Sequence, residues 1–388
     1  MNNMSSLISR KINGEISYGG IAGANVAVIS KGETVYSASF GMADKENSIP
    51  MKEDTIFRLF SMTKPVTAAA AMILLERGEI ELSDPLKWYL PTFEAPCVLD
   101  ESGKRPAERD ITLRDLLTMT SGIPYPDGHP SGQAMGELWG RQSENYLNGE
   151  KLLNTREFAL EMGRRPLTFT PGDRWMYGAS ADVMGAVIET VSGTSFGDFL
   201  RREIFEPLGM NDTGFYIPPE KYGRLAQAYE YQQDGLKPFK HFHLCLTDYK
   251  APPAFESGGA GLVSTIGDYS KFVKMLMNRG EFNGKRIMGR KTVELMTKNF
   301  LTKEQLRSAD WDTMTGQGYG CFMRVLMDRT LAGFNCTEGQ YGWDGWMGCF
   351  FTIDPVEDLA MLYFIQNAGA GCSKTARQLQ NIIWSQML

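Results

Sequence analysis

The segment 63–77, TKPVTAAAAMILLER, places the tightest demand on the fold. Its Ala, Leu and Met content favours a helix, and Gly78 supplies a stop signal. Apolar side chains lie on almost every side of that helix, so other elements must enclose it. With 388 residues, 43% hydrophobic and 22% charged, the chain has the length and the apolar content to build such an interior.

Both ends of the chain carry strand patterns. Residues 24–41 alternate around Lys31-Gly32-Glu33, which predicts a hairpin. Residues 348–353 and 359–366 are two apolar, aromatic-rich runs split by Asp354-Pro355, a second hairpin with its turn signal. A short helix is expected in the first 20 residues or so, and an amphipathic helix over 374–387. Between the ends, 113–119, 155–162, 180–192, 196–204 and 265–278 also have helical patterns. Residues 123–149 are rich in Gly, Pro and polar residues and are expected to form a long, lid-like loop. The expected class is α/β in the α+β sense: a sheet from both chain ends, flanked by helices, with a mostly helical block inserted. Pockets favour the junction of two such parts.

Charge and cysteine usage narrow the function. The formal net charge is −6, which argues against nucleic acid or anionic lipid as a partner. No apolar run approaches the ~18 residues of a membrane helix. The N-terminal stretch has no apolar core ahead of a cleavage site, so no signal peptide is expected. Six cysteines are scattered without a CxxC pair, which points to free thiols and a cytoplasmic location.

Ser61-Met62-Thr63-Lys64 is the sharpest chemical signal. Ser and Lys three apart on a helix share a face. A lysine buried there has its ammonium form disfavoured, and as a free amine it can accept the serine proton. The spacing alone is equally well explained by an N-cap serine and a snorkelling lysine. Yet Ser61 is the one serine with Lys at that offset, and it opens the most apolar helix in the chain, where a lysine has no structural purpose.

The surrounding stretch, FRLFSMTKPVTAAAAMILLERGEIELSDPL, resembles the active-serine helix of the β-lactamase/penicillin-binding-protein superfamily, nearest to its class C β-lactamase and family VIII esterase branch. Five further segments follow in that branch's order: LLTMTSGIPY, FTPGDRWMYGASADVMGAVIE, IFEPLGMNDTGF, ESGGAGLVSTIGDYSKF and WDGWMGCFFTIDP. The likeness runs from about residue 20 to 368. It implies a β-lactamase/transpeptidase-like antiparallel sheet in one catalytic unit, 1–388. The sheet-containing part would be 1–60 plus 256–388, and the helical part 61–255 would carry the lid-like loop at 123–149. Ser61 would be the nucleophile, Lys64 its proton-handling partner and Tyr177 the catalytic tyrosine. Tyr177 would stand as a phenolate or a hydrogen-bonded phenol near the serine, with Lys64 lowering its pKa from about 10. Trp343-Asp344-Gly345 matches the third motif, and the N–H groups of Ser61 and Trp346 would form an oxyanion hole. Tyr125, Ala179 and the 343–345 stretch would contact substrate. Taken without their neighbours, Tyr177 is a half-buried aromatic and 343–346 an aromatic strand edge.

Two positions depart from the β-lactamase pattern. Ala179 stands where a polar residue, often Asn, follows the tyrosine, and Trp343 stands where β-lactamases carry Lys. Both leave acylation intact and remove expected contacts to a β-lactam, with Ser180 or Arg324 as candidates to restore them. The expected activity is therefore a carboxylesterase on a small-molecule ester or acyl substrate. The alternatives are a β-lactamase or D-Ala-D-Ala peptidase, an acyltransferase, or a non-catalytic binding protein on the same fold. No metal or organic cofactor is implied. His241, His243 and Cys245 alternate as potential zinc ligands but have no fourth partner at matching spacing, so a segment edge near the site is the better account. His129 is expected in solvent, and no G-x-S-x-G elbow occurs. Ser257-Gly258-Gly259-Ala260-Gly261 is expected where backbone must approach closely.

Overall fold

The computed structural model describes residues 2–100, 103–244 and 248–386. Strands β1 (Gly23–Ser30), β2 (Glu33–Asp44) and β3 (Ile49–Pro50) come from the N-terminal end. Strands β4 (Gln317–Tyr319), β5 (Arg324–Leu326), β6 (Tyr341–Asp344), β7 (Phe350–Asp354) and β8 (Leu359–Phe364) come from the C-terminal end. They form one sheet of eight antiparallel strands, ordered β4-β5-β6-β7-β8-β1-β2-β3, so the two chain ends meet where β8 pairs with β1. The helices that matter for the site and its support are α1 (Asn2–Ser17), α2 (Thr63–Glu76), α3 (Pro130–Asn148), α4 (Ser180–Ser192), α5 (Ile266–Met277) and α6 (Lys374–Trp384).

The β1–β8 register explains why GANVAVIS is apolar without interruption. Val26 and Val28 lie opposite Tyr363 and Met361, and their side chains meet Ile8 and Ile12 of α1 and Leu379 and Ile383 of α6. Ala27 and Ile29, opposite Leu362 and Ala360, face the other way into the core shared with α2, α4 and α5. Both faces of the strand are covered, so period-two alternation disappears there.

Helix α2 lies inside the helical part, and every residue from Thr63 to Leu74 is buried. Each large apolar side chain in such a position contributes about 1.5–3 kcal/mol, which offsets the cost of enclosing one amine among them. Its start is tied down on several sides. Residues Ile56–Arg58 pair with Val263–Thr265, the Leu59 N–H donates to Leu262 O at 2.9 Å, and Tyr269 Oη donates to Met62 O at 2.8 Å.

The segment 123–149 differs from the expected lid-like loop: Pro130–Asn148 is a helix of 19 residues. Pro130 sits in the first turn, where its missing N–H costs nothing, and Gly149 closes the far end at φ 69°. Gly132, Gly136 and Gly140 recur every four residues along one helix face, so glycines taken as loop signals are spaced for a helix. Met135, Leu138 and Trp139 bury the neighbouring stripe, which also takes in Gly132, with the indole edge-on to Phe158 at 5.0 Å. His129 caps this helix, its Nδ1 accepting the Ser131 N–H at 3.3 Å.

Beyond β6 the chain turns against the entrance to α2. A Cβ on Gly345 would stand 2.0 Å from Leu59 O. Gly345→Ala therefore has to push β6 away from the Ser61 turn. The expected cost is about 1–3 kcal/mol, read as a lowered thermal midpoint, together with loss of the site geometry described next.

Candidate functional site

Ser61 lies in a 3₁₀ turn, Phe60–Met62, that runs directly into α2. Neither helix uses the Ser61 hydroxyl as a cap, so the N-cap account of this serine does not hold. Phe60 has φ 47°, a left-handed conformation that costs an aromatic residue about 1–3 kcal/mol. Its ring is 3% exposed and packs on Trp346 at 5.3 Å and His243 at 5.9 Å. Burial of the ring holds the strained turn, and the turn leaves Ser61 half-buried at the junction of helix and sheet.

Two groups converge on the Ser61 hydroxyl. Tyr177 Oη donates to Ser61 Oγ at 2.6 Å, and Lys64 Nζ lies 3.2 Å from the same oxygen. Lys64 is fully buried and has two other acceptors, Gly259 O at 2.8 Å and Tyr125 Oη at 3.1 Å. Its Nζ also stands over the Tyr177 ring, 4.5 Å from the centroid. Burial lowers the Lys64 pKa to about 7, against the opposing pull of Asp182 and then Asp344.

Of the two states expected of Tyr177, the structure holds the hydrogen-bonded phenol, without the expected lowering by Lys64. Burial pushes its phenol well above the ordinary value, and the hydrogen bond to Ser61 and the nearby Trp343 indole N–H pull it down only in part. The indole N–H faces the hydroxyl without closing a full hydrogen bond. Lys64 does not bring the phenol down, because its amine meets the ring face and spends its N–H groups elsewhere. The resting tyrosine is a neutral phenol, and the group that exchanges a proton near neutrality is Lys64.

The third motif comes to the same place. Trp343 packs on Tyr177 at 5.6 Å and on Tyr319 at 5.3 Å, and it is 2% exposed, so it backs the tyrosine and offers little surface of its own. The Arg324 guanidinium covers the Trp343 ring at 4.4 Å and pairs with Asp344. Ala179 is fully buried at the start of α4, and Ser180 shares its hydroxyl with Ser121 at 2.8 Å. Arg324 and Ser180 are thus both engaged within the protein, and Ala179 presents no surface to a ligand. The Trp346 N–H has no backbone acceptor among the described residues, and its indole is stacked on His243 at 4.0 Å. The segment holding His241 and His243 therefore borders the site, as expected from its sequence. It is irregular, His241 is exposed, and Cys245 lies outside the described residues.

Two contributors escaped the sequence reading. Trp311 packs against Tyr177 at 4.9 Å. Asp182, 1% exposed, accepts Ser257 Oγ at 2.5 Å, Gly259 N–H at 3.0 Å and Tyr125 Oη at 3.2 Å. Its signal was present: it is a lone charge near the start of an apolar helix, five residues after Tyr177. Gly259 has the close approach expected of the glycine-rich stretch. A Cβ there would meet Tyr125 Oη at 2.5 Å and the Asp182 carboxylate at 2.6 Å.

A hydroxyl held by a phenol and by an amine that sheds its proton near neutrality is equipped for attack on an acyl carbon. The beta-lactamase family profile matches residues 9–381, and the chain belongs to that family. Esterase EstB of Burkholderia gladioli is 30% identical over 372 residues, covering 91% of this chain and 88% of EstB. Protein Rv1367c of Mycobacterium tuberculosis is 33% identical over 362 residues, covering 89% and 86%. Among solved structures, EstCE1, described as a hydrolase with promiscuous acyltransferase activity, superposes with a TM-score of 0.83 at 25% identity, covering 99% of each chain. The fold is that of the β-lactamase/transpeptidase proteins, and the protein is a serine hydrolase of this family.

The hydroxyl of Ser61 bonds only within this cluster, so Ser61→Ala removes no cap. Its thermal midpoint is expected to stay within about 1 kcal/mol of wild type, checked by calorimetry.

Proposed function

We propose that the protein is a carboxylesterase that works through an acyl-enzyme on Ser61. The observation that carries the reading is the Ser61 hydroxyl with Tyr177 Oη at 2.6 Å and Lys64 Nζ at 3.2 Å. The neutral Lys64 amine takes the serine proton as Oγ bonds to the ester carbonyl carbon. The carbonyl oxygen becomes an oxyanion facing the N–H groups of Ser61 and Trp346. When the ester C–O bond breaks, the alkoxide leaves with the proton that Lys64 collected. Water then attacks the acyl carbon and gives its proton to Lys64, which returns it to Ser61 Oγ as the acyl C–O bond breaks, and the carboxylic acid departs.

An ester is favoured over a β-lactam because, among the described residues of the matching motif positions, no free cation or carboxamide stands where a β-lactam's carboxylate and amide need one. Trp343 replaces the lysine, Ala179 is buried, and Arg324 and Ser180 are already paired. Each missing charge-assisted contact costs about 1.5–3 kcal/mol. Acyl transfer to an alcohol uses the same acyl-enzyme and differs only in the final acceptor, and the likeness to EstCE1 favours it as a second activity. No helix among the described residues is long and apolar enough to cross a membrane. The unpaired thiols at Cys97, Cys321, Cys336, Cys349 and Cys372 support a cytoplasmic site of action.

Ser61→Ala is expected to abolish hydrolysis of p-nitrophenyl acetate and butyrate and to lose the fluorophosphonate adduct seen by mass spectrometry in the wild type. Wild-type kcat/KM for these esters should exceed that for benzylpenicillin or a cephalosporin by more than about 100-fold, two contacts' worth. A β-lactam turned over as well as the best ester would refute the esterase reading. The free amine is the active form, so kcat/KM should rise with pH through an acid limb centred near 7.

A further inference from the structure

Lys64 can donate to three partners, but as a base it must keep its lone pair for one of them. Gly259 O is a carbonyl and can only accept, so the 2.8 Å contact fixes one Lys64 N–H. Tyr125 Oη is ambiguous, because a phenol can either accept from Lys64 or donate to it. That choice decides which oxygen meets the lone pair of the neutral amine. If Tyr125 donates to Lys64, the lone pair is consumed there and Ser61 loses its base.

Asp182 removes the ambiguity. Its Oδ1 accepts the Gly259 N–H at 3.0 Å and the Ser257 hydroxyl at 2.5 Å, and its Oδ2 faces Tyr125 Oη at 3.2 Å. A carboxylate only accepts, so Tyr125 must give its one proton to Asp182 and can then only accept from Lys64. The same residue steadies both Lys64 partners, since the Gly259 residue whose N–H meets Asp182 also offers its carbonyl to the amine.

We propose that Asp182 is a positioning residue that sets the direction of the hydrogen bonds around Lys64, leaving the amine's lone pair for the Ser61 hydroxyl. The inference rests on the hydrolase reading above and adds a residue that never touches substrate. The other groups around Lys64 do not fix this direction. Tyr177 turns its hydroxyl to Ser61, and Asp344, at the end of β6, is neutralised by Arg324 of β5. Asp182 supplies the nearest unpaired negative charge and the main electrostatic support for the ammonium form, ahead of Asp344.

Asp182→Asn tests this directly. Gly259 N–H and Ser257 still require an acceptor, so the amide oxygen must face them and the NH₂ must face Tyr125. Tyr125 then accepts from Asn and is left to donate to Lys64. The expected result is a loss of about 100-fold in the rate of Ser61 labelling by a fluorophosphonate and in ester kcat/KM. Tyr125→Phe alone removes one acceptor and should lose less, with its acid limb moved to lower pH because the ammonium form loses support. The double variant, Asp182→Asn with Tyr125→Phe, should recover to the level of Tyr125→Phe, since no hydroxyl is left to take the lone pair. Wild-type labelling in Asp182→Asn, or a double variant slower than Asp182→Asn, overturns the proposal. If Asp182→Asn does not fold, an unmoved acid limb in Tyr125→Phe overturns it. Absence of any adduct at Ser61 in the wild type would instead overturn the hydrolase reading, and this inference with it.

Discussion

A single buried amine organises this molecule. Lys64 sits fully enclosed in the most apolar helix of the chain, where an isolated ammonium would be expelled or neutralised. It is kept by three acceptors from three separate segments: Ser61 from the turn before α2, Tyr125 from the stretch before α3, and Gly259 from the stretch before α5. Satisfying that one group therefore fixes the relative placement of segments that are far apart in sequence. The site cannot be rearranged locally, because each segment that holds the amine is also part of the core.

Trp343 stands at the third motif without a charge, and the Arg324 guanidinium lies over its ring and pairs with Asp344. The indole is 2% exposed, so it backs Tyr177 and the cation is neutralised within the protein. Burial raises the Tyr177 phenol and lowers the Lys64 amine, while the Trp343 indole N–H pulls the phenol partly back.

Much of this was legible in the sequence because the responsible signals are local. The hairpins around Lys31-Gly32-Glu33 and Asp354-Pro355, the enclosed α2 and the Ser61–Lys64 offset depend on turn chemistry and helical spacing, and each is where it was expected. Helix α3 was missed because Gly and Pro are ambiguous without context: a proline is a breaker inside a helix and a starter in its first turn. The expected lowering of the Tyr177 pKa by Lys64 fails for a different reason. Proximity of Lys64 was foreseen, but burial of both groups and the ring-face approach of the amine are three-dimensional facts. Asp182 escaped although it obeys the rule that singled out Lys64, a charge inside an apolar helix.

The turn at Phe60 shows how the fold keeps the Ser61 hydroxyl in place. A left-handed aromatic residue is unfavourable by about 1–3 kcal/mol, and a glycine would relieve that strain. Glycine would also remove the ring that packs on Trp346 and His243, and with it the contact joining the Ser61 turn to the backbone carrying the Trp346 N–H. Burying a phenylalanine side chain is worth a similar 1.5–3 kcal/mol, so the two terms nearly cancel. What remains is orientation: the strained backbone aims Ser61 toward Lys64 and Tyr177, and the ring sets its distance from Trp346. Ser61 is thus held from the helical side by hydrogen bonds and from the sheet side by aromatic packing, at almost no net cost in stability.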